Sequence, residues 1–321
     1  MPAESHHGTR PIWKRVAGPA LGLLLLAAAL WVLRHEMGQH SLREVAATLQ
    51  ALPRSRLLLS LGATLLGYAA LAGQDLLALR ALGSRLPVRT ALLAGFEGFA
   101  FANNLPLAVV TGGAVRARFY AGLRLPKSQI ADLVLFNTVT YSLGLLTATG
   151  LAFTLEPTAL PGLLGLPIHS TRPLGFLALG LLALFLAWSA RGGPELRLGK
   201  RTIRPTTLGM SVARLAVSLL DWVLSGLALY VLLPRADAFH FAGFLGAFML
   251  GQLAGLLAQL PGGIGVFEAV VLRVLGRASG VPVVFGALLA YRAIYFLLPL
   301  IIAAVILAGH ELRRVRQRTR H

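Results

Sequence analysis

The sequence predicts an all-α polytopic membrane protein, with six full transmembrane helices and two re-entrant broken-helix hairpins arranged as an inverted repeat. Three observations carry that prediction. Of 321 residues, 56% are hydrophobic and only 13% are charged, and the mean hydropathy is +0.72. A soluble domain runs nearer half apolar and a quarter charged. The apolar residues gather in runs of membrane length, and the 30 Lys+Arg, set against 12 Asp+Glu, cluster between them. The composition excludes intrinsic disorder, which needs a polar chain. Nucleic-acid binding fits the basicity badly, because membrane-length runs separate the clusters, whereas basic cytoplasmic loops fit it well. Cysteine is absent, so a disulfide framework, a thiolate metal site and a Cys nucleophile are all excluded.

A crossing helix needs about 20 mostly apolar residues. Val16–Leu33, Leu57–Leu79, Ile130–Leu155, Pro173–Ala190, Leu208–Leu233 and Val283–Ala308 supply them. The first reads as an uncleaved anchor, since Trp31-Val32-Leu33-Arg34 is a poor signal-peptide cleavage site. Residues 34–56 read as an amphipathic surface helix, with Leu42, Val45, Ala46 and Leu49 on its apolar side. Two further apolar regions are interrupted. Val88–Val110 is broken by Asn103, Asn104 and Pro106, and Phe239–Gly280 by Pro261-Gly262-Gly263.

Charge decides how the interrupted regions are read. If both cross fully, 13 Lys/Arg fall inside and 15 outside, against the positive-inside rule. If both are re-entrant, 20 fall inside and 8 outside, and both termini are cytoplasmic. Arg214 and Arg292 then lie within spans. The second half repeats the first: Leu260-Pro261 follows Leu105-Pro106 at an offset of 155, and the three flanking spans follow theirs at 157, 151 and 153. Each half has three full crossings, an odd number, so the second must sit inverted. The expected organisation is a tail at 1–15, a first membrane repeat at 16–155 with its break near 103–113, a second at 156–308 with its break near 259–265, and a basic tail at 309–321. Many secondary transporters are built this way, with broken helices meeting near the midplane around the substrate.

The breaks carry the chemistry. Proline interrupts a helix, and freed amides with half-helix N-termini suit an anion such as phosphate. Pro106, Gly112 and Gly113 mark the first expected hinge, and Pro261, Gly262 and Gly263 the second. Asn103, Asn104 and Glu97 flank the first. Arg116 and Arg118 follow it at headgroup depth, and two readings stand: phosphate ligands, or plain determinants of topology. Arg292 lies ten residues into its span. A charge at that depth costs about 3 kcal/mol on insertion scales, so it needs a partner. Glu268, Glu97 and Asp221 are the candidates. Asp75 reads as a residue near the inner end of its span that reaches the interface. No HExxH, GxSxG or GxxxxGK[ST] pattern occurs, so neither a metal, a cofactor nor an enzymatic activity is expected.

Asn104-Leu105-Pro106, Gly112-Gly113-Ala114-x-Arg116-x-Arg118-x-Tyr120, Pro261-Gly262-Gly263-Ile264-Gly265-x-x-Glu268 and Tyr291-Arg292 together resemble the lysylphosphatidylglycerol synthase/flippase transmembrane-domain family. The resemblance spans nearly the whole chain. It implies an inner-membrane protein of a bacterium that moves a lipid between leaflets: a phospholipid, an aminoacylated phosphatidylglycerol or a polyprenyl phosphate. Only Gly309–His321 follows the last span, so the flippase part is implied and the aminoacyl-transferase is not.

The leading expectation is therefore a lipid translocase. Arg116, Arg118 and Arg292 would attract a phosphate, and Glu97, Glu268 and Asp221 would balance a cationic group. A lipid gradient and protonation of a buried carboxylate are both open as energy sources. The alternative is a non-transporting scaffold whose basic loops hold anionic lipids or an acidic partner. An intramembrane enzyme ranks third. Membrane lipids are the expected partners, a homo-oligomer is admitted, and nucleic acid is not expected.

Overall fold

The computed structural model describes residues 50–318, apart from 85, 106, 121–122, 124, 158–169, 199–200, 204, 234–239 and 259–260. The predicted first span, residues 34–49 of the 34–56 surface helix, and Pro106 lie outside the described residues.

Among the described residues ten α-helices follow in order: α1 (Arg54–Ala81), α2 (Val88–Asn104), α3 (Ala108–Tyr120), α4 (Lys127–Leu155), α5 (Arg172–Ala190), α6 (Leu208–Tyr230), α7 (Phe241–Ala258), α8 (Val266–Ser279), α9 (Val281–Tyr291) and α10 (Leu298–Arg318). A two-stranded antiparallel ribbon, β1 (Leu196–Leu198) and β2 (Arg201–Ile203), joins α5 to α6. This ribbon is a small addition to the all-helical expectation and lies in a basic loop.

Among the described residues, six helices are long and apolar enough to cross a membrane: α1, α4, α5, α6, α7 and the rod Val281–Arg313. The chain is a multi-pass membrane protein. Five of the six coincide with predicted spans. The sixth, α7, lies in the second interrupted region, and at 18 residues it is about 27 Å long. With 28 residues, α1 runs about 42 Å, longer than a hydrocarbon core roughly 30 Å thick.

Local chemistry sets the helix starts. Pro53, Pro87 and Pro126 sit at the N-caps of α1, α2 and α4. There a proline's fixed φ and missing N–H cost nothing. The Thr207 side chain caps α6 by accepting from the Met210 N–H.

Small residues let the helices close on one another, as is usual where lipid gives no hydrophobic drive. A Cβ on Gly95 of α2 would lie 2.9 Å from the Ala72 Cα of α1, and one on Gly144 of α4 only 2.1 Å from the Ser218 Oγ of α6. The main core draws on α1, α2, α4, α6, α7, α8 and the α9–α10 rod. On α5, by contrast, Phe176, Leu177 and Leu184 stay exposed, consistent with a peripheral, lipid-facing helix.

Twice in the chain a long helix is followed by an interrupted pair and then another long helix: α1, α2/α3, α4, and α6, α7/α8, α9–α10. The first interruption passes through Leu107, which holds φ 55 although it is not glycine. The second passes through Pro261–Gly263, with Gly262 at φ 55 and Gly263 at φ 65. The left-handed region suits glycine and strains other residues. Gly112 and Gly113, expected at a hinge, lie inside α3. The last rod is not uniform, because residues Arg292–Leu297 form a π-helical turn between α9 and α10.

Candidate functional site

Both interruptions open onto one cavity of about 210 Å³. Asn103, Leu105, Leu107 and Ala108 line it from the first, and Gly255, Gly262 and Gly263 from the second. Arg116 of α3, Asn137 and Tyr141 of α4, Asp221 and Trp222 of α6, and Tyr295 and Phe296 of the π-helical turn complete the polar and aromatic walls. The interruptions also touch directly: a Cβ on Gly262 would stand 3.3 Å from the Asn103 carbonyl oxygen and 2.9 Å from Arg292 Nη1. That position therefore needs glycine for its φ and for its space.

The π-helical turn fits the cavity wall because its carbonyls find donors. A π turn breaks the regular α-helical ladder and leaves backbone groups to be satisfied elsewhere. Asn104 Nδ2 donates to the Phe296 carbonyl at 3.2 Å, and the Tyr68 hydroxyl donates to the Tyr295 carbonyl at 3.2 Å. Asn103 Nδ2 donates to the Tyr68 hydroxyl at 3.4 Å. So the end of α2, the middle of α1 and the last rod are tied together at the cavity.

Each interruption has an arginine–carboxylate pair beside it. Arg116 donates from Nε to both Asp75 oxygens at 3.0 and 2.9 Å, and from Nη2 to Oδ1 at 2.7 Å. Asn137 Nδ2 and the Tyr120 hydroxyl also donate to Asp75, at 2.6 and 3.4 Å. Gly98 and Gly112 make room: a Cβ on Gly98 would fall 2.6 Å from Arg116 Cζ, and one on Gly112 3.0 Å from Nη1. Beside the second interruption, Arg292 Nε and Nη2 both reach Glu268 Oε1 at 2.6 Å, while Glu268 Oε2 accepts from the Gly265 N–H at 2.8 Å and caps α8. Of the three carboxylates considered for Arg292, Glu268 is the one it meets.

The structure brings Arg116, Asn103, Asp221, Gly262 and Gly263 to the cavity wall, with Arg292–Glu268 immediately behind Gly262. Asn104 supports the wall through its bond to Phe296. Arg118 and Glu97 belong elsewhere. Arg118 pairs with Glu311 of α10, and the fully buried Glu97 faces His310 Nδ1 at 3.8 Å. Asp75 corrects the sequence reading. It is wholly buried as the partner of Arg116 and does not reach an interface. The polar pair Gln74-Asp75 inside an apolar run was the available signal. Arg214 is likewise held internally, donating to Thr140 Oγ1 at 2.8 Å and the Phe136 carbonyl at 3.2 Å, over the Phe136 ring. No group of three or more His, Asp or Glu stands together to hold a metal among the described residues.

The fold and site define a polytopic helical membrane protein with a cavity, mostly apolar but carrying buried polar groups, at the meeting of two interrupted helix pairs. The chain belongs to the family described as the lysylphosphatidylglycerol synthase TM region, whose model matches residues 20–303. It is 33% identical over 307 residues to an uncharacterized protein of Synechocystis sp., covering 96% of this chain and 95% of that one. It is 29% identical over 302 residues to the inner membrane protein YbhN of Escherichia coli, covering 92% and 93%. A phosphatidylglycerol lysyltransferase of Staphylococcus xylosus is 39% identical over 106 residues, which is 32% of this chain and 12% of that enzyme.

Proposed function

We propose that this protein is a lipid translocase of a bacterial inner membrane, and that the cavity between the interruptions receives the lipid headgroup. One observation carries the reading: a largely apolar cavity holds a small set of buried polar side chains, and exposed leucines stand beside it. Arg116, Asn137, Asp221 and Asn103 are among its polar lining residues. Leu107 at 64%, Leu256 at 51% and the neighbouring Leu257 at 82% exposure stand around the two interruptions. An amphiphile needs that combination, since its headgroup must leave water while its chains stay in hydrocarbon.

In this reading α2/α3 and α7/α8 are re-entrant hairpins in two inverted halves, and both termini are cytoplasmic. The sequence offsets of 151–157 and the 20-to-8 division of basic residues support it. So does the matching order of long helix, interrupted pair and long helix. Arg116 and Arg292 would orient a phosphate while remaining held by Asp75 and Glu268. No catalytic step is needed, and aminoacyl transfer is no part of the proposal.

The test uses the full chain in liposomes with fluorescent phosphatidylglycerol, aminoacylated phosphatidylglycerol and a polyprenyl phosphate. Protein should accelerate the crossing of at least one. Crossing of every lipid at the protein-free rate overturns the translocase. For topology, a single cysteine at Leu123 should react with an impermeant reagent only from the cytoplasmic side, and reaction only from the periplasm overturns the re-entrant reading.

A further inference from the structure

The buried charges around the cavity do not all cancel. Arg116 is neutralised by Asp75 and Arg292 by Glu268. Glu97 stands beside His310, away from the cavity wall. That leaves Asp221. It lines the cavity and is 2% exposed. Among the described residues no basic side chain pairs with it. The hydrogen bond it receives is from the Tyr295 hydroxyl, at 3.4 Å.

Tyr68 of α1, Tyr141 of α4, and Tyr291 and Tyr295 on the last rod are the titratable side chains that face Asp221. On its own helix, Ser225 exchanges a hydrogen bond of 2.9 Å with the Tyr291 hydroxyl. The Asp221 side chain also stands 3.6 Å from where a Cβ on Gly67 would be, so α1 closes it off on that side. A carboxylate in a water-poor site without a cation is costly. The cost falls only when a positive charge arrives, and the route open to one is the cavity.

We propose that Asp221 is the proton-binding group of the cavity, and that lipid passage is coupled to a proton carried on its carboxylate. This rests on the translocase reading. The proton binds one Oδ when the cavity is open to one side and leaves from it when the cavity is open to the other. Among the carboxylates named around the site, Asp221 is the one that can change charge without breaking an arginine pair. The glycine facing it and the tyrosine ring around it therefore serve to hold a carboxyl in either state.

The experiment combines two measurements on the purified full chain. In liposomes clamped at zero membrane potential, a pH gradient of about one unit should shift the equilibrium transbilayer ratio of a transported fluorescent phosphatidylglycerol roughly tenfold per coupled proton. Asp221→Asn should abolish the shift, read at the transbilayer equilibrium whatever its exchange rate. Separately, infrared difference spectra between low and high pH should show a carboxyl band in the wild type that is missing in Asp221→Asn. Tyr295→Phe should move the pH at which that band titrates. Lipid that crosses with no response to the gradient overturns the coupling and leaves the translocase standing. If no lipid crosses, the translocase reading falls and the coupling with it, and the infrared band then decides proton binding alone. A wild-type spectrum identical to that of Asp221→Asn overturns proton binding. If the asparagine variant does not fold, a band whose titration is unmoved in Tyr295→Phe overturns the assignment to Asp221.

Discussion

Asp75→Asn tests the internal clamp on the first interruption. The substitution keeps the shape of the side chain and removes its charge. Arg116 then remains buried at 3% exposure with a neutral partner, having lost a carboxylate that took three of its donated bonds between 2.7 and 3.0 Å. Removing one partner of a buried pair costs about 3–5 kcal/mol, because the other charge is left uncompensated. Replacing both partners costs far less, since no charge is stranded. The expected order of stability is therefore wild type, then Asp75→Asn/Arg116→Gln, then either single variant. Detergent-solubilised protein would be heated in steps, and the fraction still monodisperse read by size-exclusion fluorescence. The double-mutant cycle should give a coupling of more than about 2 kcal/mol. A coupling within about 0.5 kcal/mol of zero, the usual error of additivity, would refute the claim that the pair holds α3 against α1.

Further outcomes follow from the same geometry. Gly98→Ala places a methyl 2.6 Å from Arg116 Cζ, so it should reproduce much of the Asp75→Asn loss in the same heating assay, and Asp75→Asn should add little on top. Gly262→Ala should cost about 1–2 kcal/mol for its left-handed backbone alone, and more from the approach to Arg292 Nη1 at 2.9 Å; thermal stability in detergent measures it. Exchanging Arg292 and Glu268 for one another should restore part of the stability that Glu268→Gln loses, and the absence of any rescue would show that the two are not coupled. Gly144→Ala should overpack the α4–α6 contact at Ser218 by about 1–3 kcal/mol, read as a lower melting temperature.

The positions of both interruptions were legible in the sequence because proline and glycine act locally. Pro261-Gly262-Gly263 cannot continue a helix whatever surrounds it, and the turn falls there. That Arg292 lies inside a long apolar helix was legible too, from run length alone, and it is buried there. Its partner was legible only as one of three acids. Choosing among them needs the rotation of α8 about its axis, and apolar periodicity does not report that in lipid. A face turned to acyl chains is as apolar as a face turned to the core. The same blindness hid Asp75, whose partner stands 41 residues away on another helix. It also let Arg118 stand beside Arg116 as a phosphate ligand. The two are two positions apart (i, i+2) in a helix, so they face different directions, one toward Asp75 and the other toward Glu311. Gly112 and Gly113 misled for a related reason: glycine marks a hinge or a close approach equally well, and at Gly112 the need is the approach to the Gly98 carbonyl and Arg116.

The internal pairing changes what the arginines can do for a lipid. An arginine free in the cavity would bind phosphate tightly and release it reluctantly, which suits a receptor better than a translocase. One already held by a carboxylate offers only its remaining donors, so in the proposed translocase a headgroup would gain orientation without a deep energy well. The two clamps also differ in what they hold. Arg116–Asp75 fixes α3 to α1 within the first half of the chain. Arg292–Glu268 fixes the start of α8 to the π-helical turn, and Asn104 and Tyr68 fix that turn to α2 and α1. Movement of the second interruption must therefore carry the π-helical turn with it or break a buried pair. Since breaking the pair is the costlier course, the last rod and α8 should move as one body against α1, α2 and α3, and Asp221 lies on the wall of the cavity that such a movement would open and close.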